Sequence, residues 1–129
     1  MNIKFDYISS PDAISGDFFL ELHQLDQENF PTPWTKDAFT SFINSHQFLL
    51  TVLLLDDLVI GYSLLETQDA DSFAHLLKIL IKKEYQGNKY GDKLLNNALS
   101  YLKKSGIKKY FLEVEDTREY GIGRAGLQL

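Results

Sequence analysis

The chain contains no cysteine, and only three prolines and one methionine occur among its 129 residues. Without cysteine it can form neither disulfides nor thiolate metal sites, and a cysteine nucleophile is excluded. The longest apolar run, Phe48 to Leu55, is interrupted by Thr51 and is far too short to span a bilayer. The first residues include Asn2 and Lys4 and lack the apolar stretch of a signal peptide. We therefore expect a cytoplasmic protein with no membrane partner.

The composition is that of an ordinary globular protein. Hydrophobic residues make up 44% of the chain and charged residues 24%, a balance that supports a hydrophobic core without covalent cross-links. The length suits one domain. We therefore expect a single domain over residues 1–129, with residues 115–129 as a poorly ordered tail.

The charge is distributed unevenly along the chain, although the net charge is only -5. Residues 1–77 carry twelve acidic side chains and two lysines, whereas residues 78–109 carry nine lysines and two acidic side chains. A basic block in an acidic protein suggests a small polyanionic ligand; the alternative is that these lysines form the solvated face of a helix. The pI of about 5.1 argues against a nucleic-acid partner.

The pattern of apolar residues predicts eight elements in the order β, α, α, β, β, β, α, β. Hairpins among the early strands indicate antiparallel pairing, whereas a helix linking residues 73–81 to residues 109–114 implies a right-handed crossover and a parallel pair. The predicted fold class is α+β (mixed α/β), with a central mixed, mainly antiparallel sheet flanked by helices. The predicted strands span residues 3–8, 48–55, 58–66, 73–81 and 109–114, and the helices lie at residues 13–28, 36–45 and around a leucine stripe at 94–102.

The segment from Tyr85 to Gly91 connects a predicted strand to a predicted helix and has the character of an anion site. The first amides of a helix lack intrahelical partners and lie at the positive end of the helix dipole. A glycine-bearing turn allows those amides to approach a phosphate. The segment has neither the Gly-Lys-Ser/Thr ending of a Walker A loop nor a GxGxxG pattern. The alternative is a plain turn in which Gly87 and Gly91 serve only the backbone shape.

This turn resembles the Gln/Arg-x-x-Gly-x-Gly/Ala motif of the GNAT N-acetyltransferases, which cradles the pyrophosphate of acetyl-CoA. Gln86 and Gly91 match the first and last motif positions, whereas Lys89 replaces the middle glycine. The Lys89 side chain would then either contact the phosphate or obstruct it. Ile79, Leu80 and Ile81, which precede the turn, resemble the strand of the family whose backbone pairs with pantetheine. The resemblance thus implies acetyl-CoA as co-substrate, bound by Ile79, Leu80, Ile81, Gln86, Gly87, Asn88, Lys89, Tyr90, Gly91 and Asp92.

Two further segments extend the resemblance. The string Leu112-Glu113-Val114 resembles the fifth strand of the family and implies that Glu113 is the catalytic base; the alternative is a solvent-facing residue at a strand end. Pro33-Trp34-Thr35 resembles a segment of bacterial family members that acetylate the N-terminal amine of a ribosomal protein. Phe30 and Trp34 are therefore candidate walls of the acceptor site, with core packing as the alternative. The three histidines lack metal-ligand spacing, and we expect no metal.

The family resemblance implies an acetyl-CoA-binding domain that transfers an acetyl group to a primary amine, either a protein N-terminus or a small amine. After Val114, the asparagine, the Leu-Tyr pair and the last two strands of the family pattern are not recognisable, which indicates a C-terminally truncated fold. Two alternatives therefore stay open: an inactive homologue that binds CoA or a protein partner, and a shortened or frame-shifted product of a complete enzyme. Because missing strands would expose a sheet edge, and exposed edges pair, we expect a homodimer.

Overall fold

The computed structural model describes residues 2–30, 33–68, 72–111 and 127–128. Its elements follow the predicted order and add a short final strand. Two short 3₁₀-helices, Pro11–Ala13 and Lys83–Tyr85, lie between the main elements. The strands and α-helices are β1 (Ile3–Ile8), α1 (Gly16–Asn29), α2 (Lys36–Ser45), β2 (Phe48–Leu55), β3 (Leu58–Gln68), β4 (Phe73–Ile81), α3 (Tyr90–Lys104), β5 (Lys109–Phe111) and β6 (Leu127–Gln128).

The strands form one mixed sheet in the order β1-β2-β3-β4-β5. The three pairings from β1 to β4 are antiparallel, and the β4–β5 pairing is parallel, so the predicted mixed, mainly antiparallel sheet is confirmed. Asp56 and Asp57 form the β2–β3 turn with φ angles of 50° and 68°, the left-handed geometry that matches the twist of a two-residue hairpin. The α3 helix supplies the crossover between the parallel strands.

The helix starts follow from their capping residues. Thr35 Oγ1 accepts the N–H of Ala38 at 3.0 Å, so α2 begins at Lys36 as predicted. The prediction for α1 was wrong at its start, because Ser15 Oγ accepts the N–H of Phe18 at 3.1 Å and the helix begins at Gly16. Within the described ranges, no helix combines the length and the apolar character needed to cross a membrane.

The two faces of the sheet bury two separate apolar clusters. One cluster packs α3 against the sheet, and the other packs α1 and α2 against the opposite face. Along β4, Ile79 and Ile81 belong to the α3 face and Leu80 to the α1–α2 face, as expected of alternating side chains. The C-terminal half of β4 is therefore buried on both sides.

A β-bulge at Leu77 changes this alternation in the middle of β4. Leu76 pairs with Leu65 and Lys78 pairs with Leu64, so Leu77 is the extra residue. Leu77 and Lys78 consequently both point to the α1–α2 face, where Leu77 packs against the apolar cluster and Lys78 reaches Asp26. With uninterrupted alternation Lys78 would share the face of Leu76, toward α3.

Gly61 on β3 packs tightly against β4, and we predict that Gly61→Ala destabilises the fold. A Cβ atom at this position would lie 2.5 Å from the Leu80 carbonyl oxygen and 2.7 Å from Ile81 Cδ1. Because the carbonyl belongs to the sheet backbone, relief requires the strands to shift, at a cost of about 1–3 kcal/mol in the free energy of unfolding.

Urea unfolding measures this change, with Gly16→Ala as the matched control. No atom lies within 4 Å of a Cβ atom at Gly16, and alanine favours the first turn of a helix over glycine. The control should therefore equal or slightly exceed the wild type in stability. Equal stabilities for the two alanine variants would contradict the packing argument.

Candidate functional site

The turn between β4 and α3 is held by side-chain hydrogen bonds to its own backbone. The Gln86 side-chain amide donates to the Ile81 carbonyl at 2.9 Å and so ties the turn to the end of β4. The Asn88 amide donates to the carbonyls of Tyr85 at 3.2 Å and of Gln86 at 3.4 Å. Gly87 has a φ of 84°, a conformation that glycine adopts without steric cost. The predicted motif residues thus shape a compact turn.

The N-terminus of α3 emerges from this turn without a side-chain cap. Lys89 is the N-cap residue and makes no capping hydrogen bond. The amides of Tyr90, Gly91 and Asp92 have no acceptor within the helix and lie at the positive end of its dipole. This geometry is suited to an anion. The Asp92 carboxylate in the first turn adds a negative charge, and lysines on both sides of the turn offset it.

Lys89 adopts a left-handed conformation, with φ 64° and ψ 17°. This is the position at which the family motif has its middle glycine. A left-handed backbone disfavours any residue with a Cβ atom, which gives a physical reason for a glycine here. The lysine is exposed, so its replacement of glycine strains the backbone without burying a charge.

The predicted pantetheine-binding residues lie on β4, but another segment of the chain occupies part of their edge. Ile79, Leu80 and Ile81 are all buried, and one edge of the strand pairs with β3 along its whole length. On the opposite edge, the described residues of β5, Lys109–Phe111, pair with residues 73–75. Beyond β5, Ile79 pairs with Leu127 and Leu80 pairs with Gln128 in parallel. The backbone edge expected to receive pantetheine therefore receives β6.

The two predicted acceptor residues lie together at the end of α1 and before α2. Phe30 is 7% exposed and belongs to the apolar cluster on the α1–α2 face. Trp34 is half-buried and makes edge-to-face contacts with Phe39 and Phe42, at centroid distances of 5.5 Å and 5.6 Å. Both residues contribute to core packing, and the partial exposure of Trp34 leaves it the more accessible of the two.

A buried polar cluster that the sequence reasoning missed lies directly beside these aromatic residues. The carboxylate of Asp26 accepts hydrogen bonds from the Tyr62 hydroxyl at 2.9 Å, the Lys78 ammonium at 2.5 Å and the Trp34 backbone N–H at 2.7 Å. Asp26 is 0% exposed and Lys78 is 3% exposed. The available signal was a charge at a core position of each element: Asp26 follows Leu22 and Leu25 on one face of α1, and Lys78 interrupts the apolar β4.

Burial shifts the protonation equilibria of this cluster. Burial raises the pKa of the Tyr62 phenol well above 10.0, and the charge and hydrogen bond of Asp26 raise it further. Burial lowers the pKa of the Lys78 ammonium from 10.5, and the Asp26 carboxylate opposes that shift. The Lys78 nitrogen lies 4.5 Å from the Trp34 ring centroid and 4.8 Å from that of Phe30, within cation–π range of both rings.

The remaining predicted residue, Glu113, lies outside the described residues, as do Leu112 and Val114. The predicted tail over residues 115–129 also falls largely outside them, apart from β6. Within the described residues, no group of three or more His, Asp or Glu side chains has the arrangement of a metal site.

Comparison with known proteins gives one family. The sequence profile described as "Acetyltransferase (GNAT) family" matches residues 19–123. The [ribosomal protein bS18]-alanine N-acetyltransferase of Haemophilus influenzae is 28% identical over 101 residues, which cover 77% of this chain and 66% of that protein. A Bacillus subtilis protein with a provisional assignment to the same activity is 28% identical over 94 residues, covering 72% of this chain and 61% of its own length. The chain thus spans about three-fifths to two-thirds of the length of these curated relatives.

Solved structures agree with the fold. The crystal structure of the ribosomal-protein-S18-alanine N-acetyltransferase from Escherichia coli superposes with a TM-score of 0.73 at 19% identity, covering 92% of this chain and 72% of that chain. The PaiA N-acetyltransferase from Thermoplasma acidophilum, solved with coenzyme A, gives a TM-score of 0.64 at 21% identity, covering 95% of this chain and 84% of that chain. At these identities the similarity concerns the fold.

The strain at Lys89 leads to a prediction about stability. Lys89→Gly should raise the free energy of unfolding by about 1 kcal/mol, because glycine adopts the left-handed conformation without the Cβ penalty. Lys89→Ala removes the same charge but keeps a Cβ atom, so it serves as the control and should leave the stability close to that of the wild type. Urea unfolding of the three proteins measures both values. Equal stabilities for the glycine and alanine variants would show that position 89 carries no backbone strain.

Proposed function

Because the chain belongs to the acetyltransferase (GNAT) family, we propose that it transfers an acetyl group from acetyl-CoA to a primary amine. A protein N-terminus is the proposed acceptor, since the curated relatives are named as alanine N-acetyltransferases of ribosomal protein bS18. The observation that carries the proposal is the uncapped, positively polarised start of α3, which directly follows the buried end of β4. This arrangement supports a phosphate-bearing donor whose extended arm runs along a strand edge.

The donor would be held mainly by backbone groups. The amides of Tyr90, Gly91 and Asp92 would donate hydrogen bonds to the pyrophosphate, and the turn from Gln86 to Lys89 would shape its approach. The polar backbone groups of β4 at Ile79–Ile81 would pair with the pantetheine arm, along the edge where Ile79 and Leu80 pair with β6 in this structure. Acetyl-CoA supplies the activated thioester, and no metal is part of the proposal.

The acceptor would approach from the α1–α2 side, past Trp34 and Phe30. An amine attacks only when neutral, so a base is needed near neutral pH. We assign this role to Glu113, on the resemblance of its Leu-Glu-Val context. In the transfer, the amine nitrogen bonds to the acetyl carbon, the carbon–sulfur bond breaks, the amine proton passes to Glu113, and the thiolate takes a proton from water.

A second candidate is a homologue without turnover that binds CoA or a protein partner. The pairing of β6 with Ile79 and Leu80 favours it, because the donor edge is then unavailable until β6 leaves. The expected homodimer and the cytoplasmic location stay predictions.

The proposed activity can be tested with acetyl-CoA and a peptide that begins with alanine. Calorimetry should detect acetyl-CoA binding, and Lys89→Glu should weaken that binding about tenfold or more, because it places a negative charge at the start of α3. Lys108→Glu makes the same change in net charge on an exposed residue beyond the end of α3 and should leave affinity unchanged. Mass spectrometry of the peptide measures transfer, and Glu113→Gln should lower kcat about 100-fold with little effect on donor affinity.

The outcomes separate the two candidates. Donor binding with acetylation of the peptide supports the transferase. Donor binding without transfer to any amine in a panel of peptides and small amines supports the inactive homologue. Absence of acetyl-CoA binding, even at high concentration, overturns the proposed donor site.

The pairing of β6 leads to a further prediction about donor affinity. Deletion of residues 127–129 should strengthen acetyl-CoA binding about fivefold, since the donor would no longer displace backbone hydrogen bonds worth about 1 kcal/mol net. Gln128→Ala keeps the backbone and should bind like the wild type. An unchanged affinity in the deletion variant would show that β6 and the donor do not compete for β4.

A further inference from the structure

The cluster of Asp26, Lys78 and Tyr62 has no role in the donor site, yet its burial is nearly complete. The side chains of the ion pair are 0% exposed for Asp26 and 4% exposed for Lys78. Removing two opposite charges from water has a large desolvation cost, and well-packed apolar residues of similar volume stabilise a core equally well or better. Stability alone is therefore a weak reason for this ion pair, which leads us to ask what it holds in place.

The hydrogen bonds of Asp26 join four separate parts of the fold, one of which is β3 through the Tyr62 hydroxyl. Asp26 lies on α1, one turn before Phe30, and its carboxylate also binds the backbone N–H of Trp34 ahead of α2. The same carboxylate binds Lys78 on β4. Both ends of the segment between α1 and α2 are thus tied to β4 through one carboxylate.

The position of Lys78 on β4 makes this connection relevant to the site. Lys78 immediately precedes Ile79, the first residue of the edge proposed to bind the donor. The bulge at Leu77 turns the Lys78 side chain to the α1–α2 face, while the backbone of Ile79 continues along the strand. The ammonium then lies between the rings of Phe30 and Trp34. One residue therefore contacts both proposed acceptor walls and adjoins the proposed donor edge.

We propose that the Asp26–Lys78 ion pair is a positioning device that fixes Trp34 and Phe30 relative to the donor strand. This inference deepens the proposed function and rests on it for the identity of the acceptor wall. Asp26 and Lys78 act through the two aromatic residues and do not touch the reacting atoms. The cation–π contact of Lys78 holds the indole of Trp34, and the hydrogen bond from the Trp34 backbone N–H to Asp26 fixes the backbone that carries the indole. Loss of the pair should loosen this orientation and weaken acceptor binding while sparing donor binding.

The first test uses Trp34 as a spectroscopic probe, since it is the only tryptophan in the chain. Asp26→Asn and Lys78→Met each remove one charge, and the double variant Asp26→Leu with Lys78→Met removes both. The double variant is needed because a single change leaves an uncompensated buried charge that can unfold the protein. In the folded variants, the emission maximum of Trp34 should shift, and its acrylamide quenching constant should rise about twofold, since release of the indole increases its exposure.

Matched controls come from α2. Lys36→Met and Asp37→Asn repeat the single changes on exposed residues within three positions of Trp34. Both controls should retain the wild-type emission and quenching. A folded double variant whose Trp34 emission and quenching equal those of the wild type would overturn the positioning role. This test needs no activity, so its outcome does not depend on the proposed function.

The second test separates positioning from a purely structural contribution. In the double variant, KM for the acceptor peptide should rise about tenfold, whereas the Kd for acetyl-CoA should stay within about twofold, because only the acceptor wall is released. Lys78→Arg keeps the charge, so its KM for the acceptor peptide should lie between that of the wild type and that of the double variant. Equal losses in acceptor and donor binding, or no loss in either, would overturn the inference. If the wild type lacks transferase activity, the proposed function fails while the fluorescence test still decides the positioning role.

Discussion

The buried contact between β4 and α1 depends on the register shift in β4. One extra residue at Leu77 sends two consecutive side chains, Leu77 and Lys78, to the α1–α2 face before alternation resumes at Ile79. The lysine thereby meets the carboxylate of Asp26 and not the apolar residues of α3 such as Leu94 and Ala98. Among the described residues, the α3 face carries no buried carboxylate that could pair with such a charge, and an unpaired buried charge is strongly destabilising.

The same strand links the two halves of the candidate site. Its C-terminal end leads through Gln86 into the turn whose backbone shape exposes the first amides of α3. Its α1–α2 face carries the lysine that contacts Phe30 and Trp34. The proposed donor edge and the lysine that contacts the proposed acceptor wall are thus neighbouring residues of one strand, an arrangement that favours precise geometry more than mobile loops would.

The edge of β4 could be paired either by β6 or by the proposed donor. The described residues of β5 pair with residues 73–75, and β6 pairs farther along, with Ile79 and Leu80. Backbone groups of a buried strand require partners, and a short strand of the same chain meets that requirement as well as an extended ligand would. In this structure β6 therefore covers part of the β4 edge along which the proposed donor would lie.

Sequence by itself determined the elements and the chemistry that each carries locally. Periodicity predicted the order of strands and helices, Thr35 predicted the start of α2, and the crossover helix predicted the parallel pair. The turn from Gln86 to Gly91 was also predictable from the sequence, because a turn and a helix start depend on neighbouring residues. The start of α1 was misplaced by three residues, because Ser10 caps the short 3₁₀-helix Pro11–Ala13 and a second cap, Ser15, starts α1 at Gly16.

Tertiary structure alone decided which distant residues meet. Asp26 and Lys78 are separated by 52 positions, and their contact depends on a bulge that no local pattern announces. The pairing of β6 likewise depends on an open edge elsewhere in the chain. The burial of Phe30 and the strain at Lys89 are consequences of packing and backbone geometry. Periodicity reports which face of an element is buried, whereas register and bulges decide what that face touches.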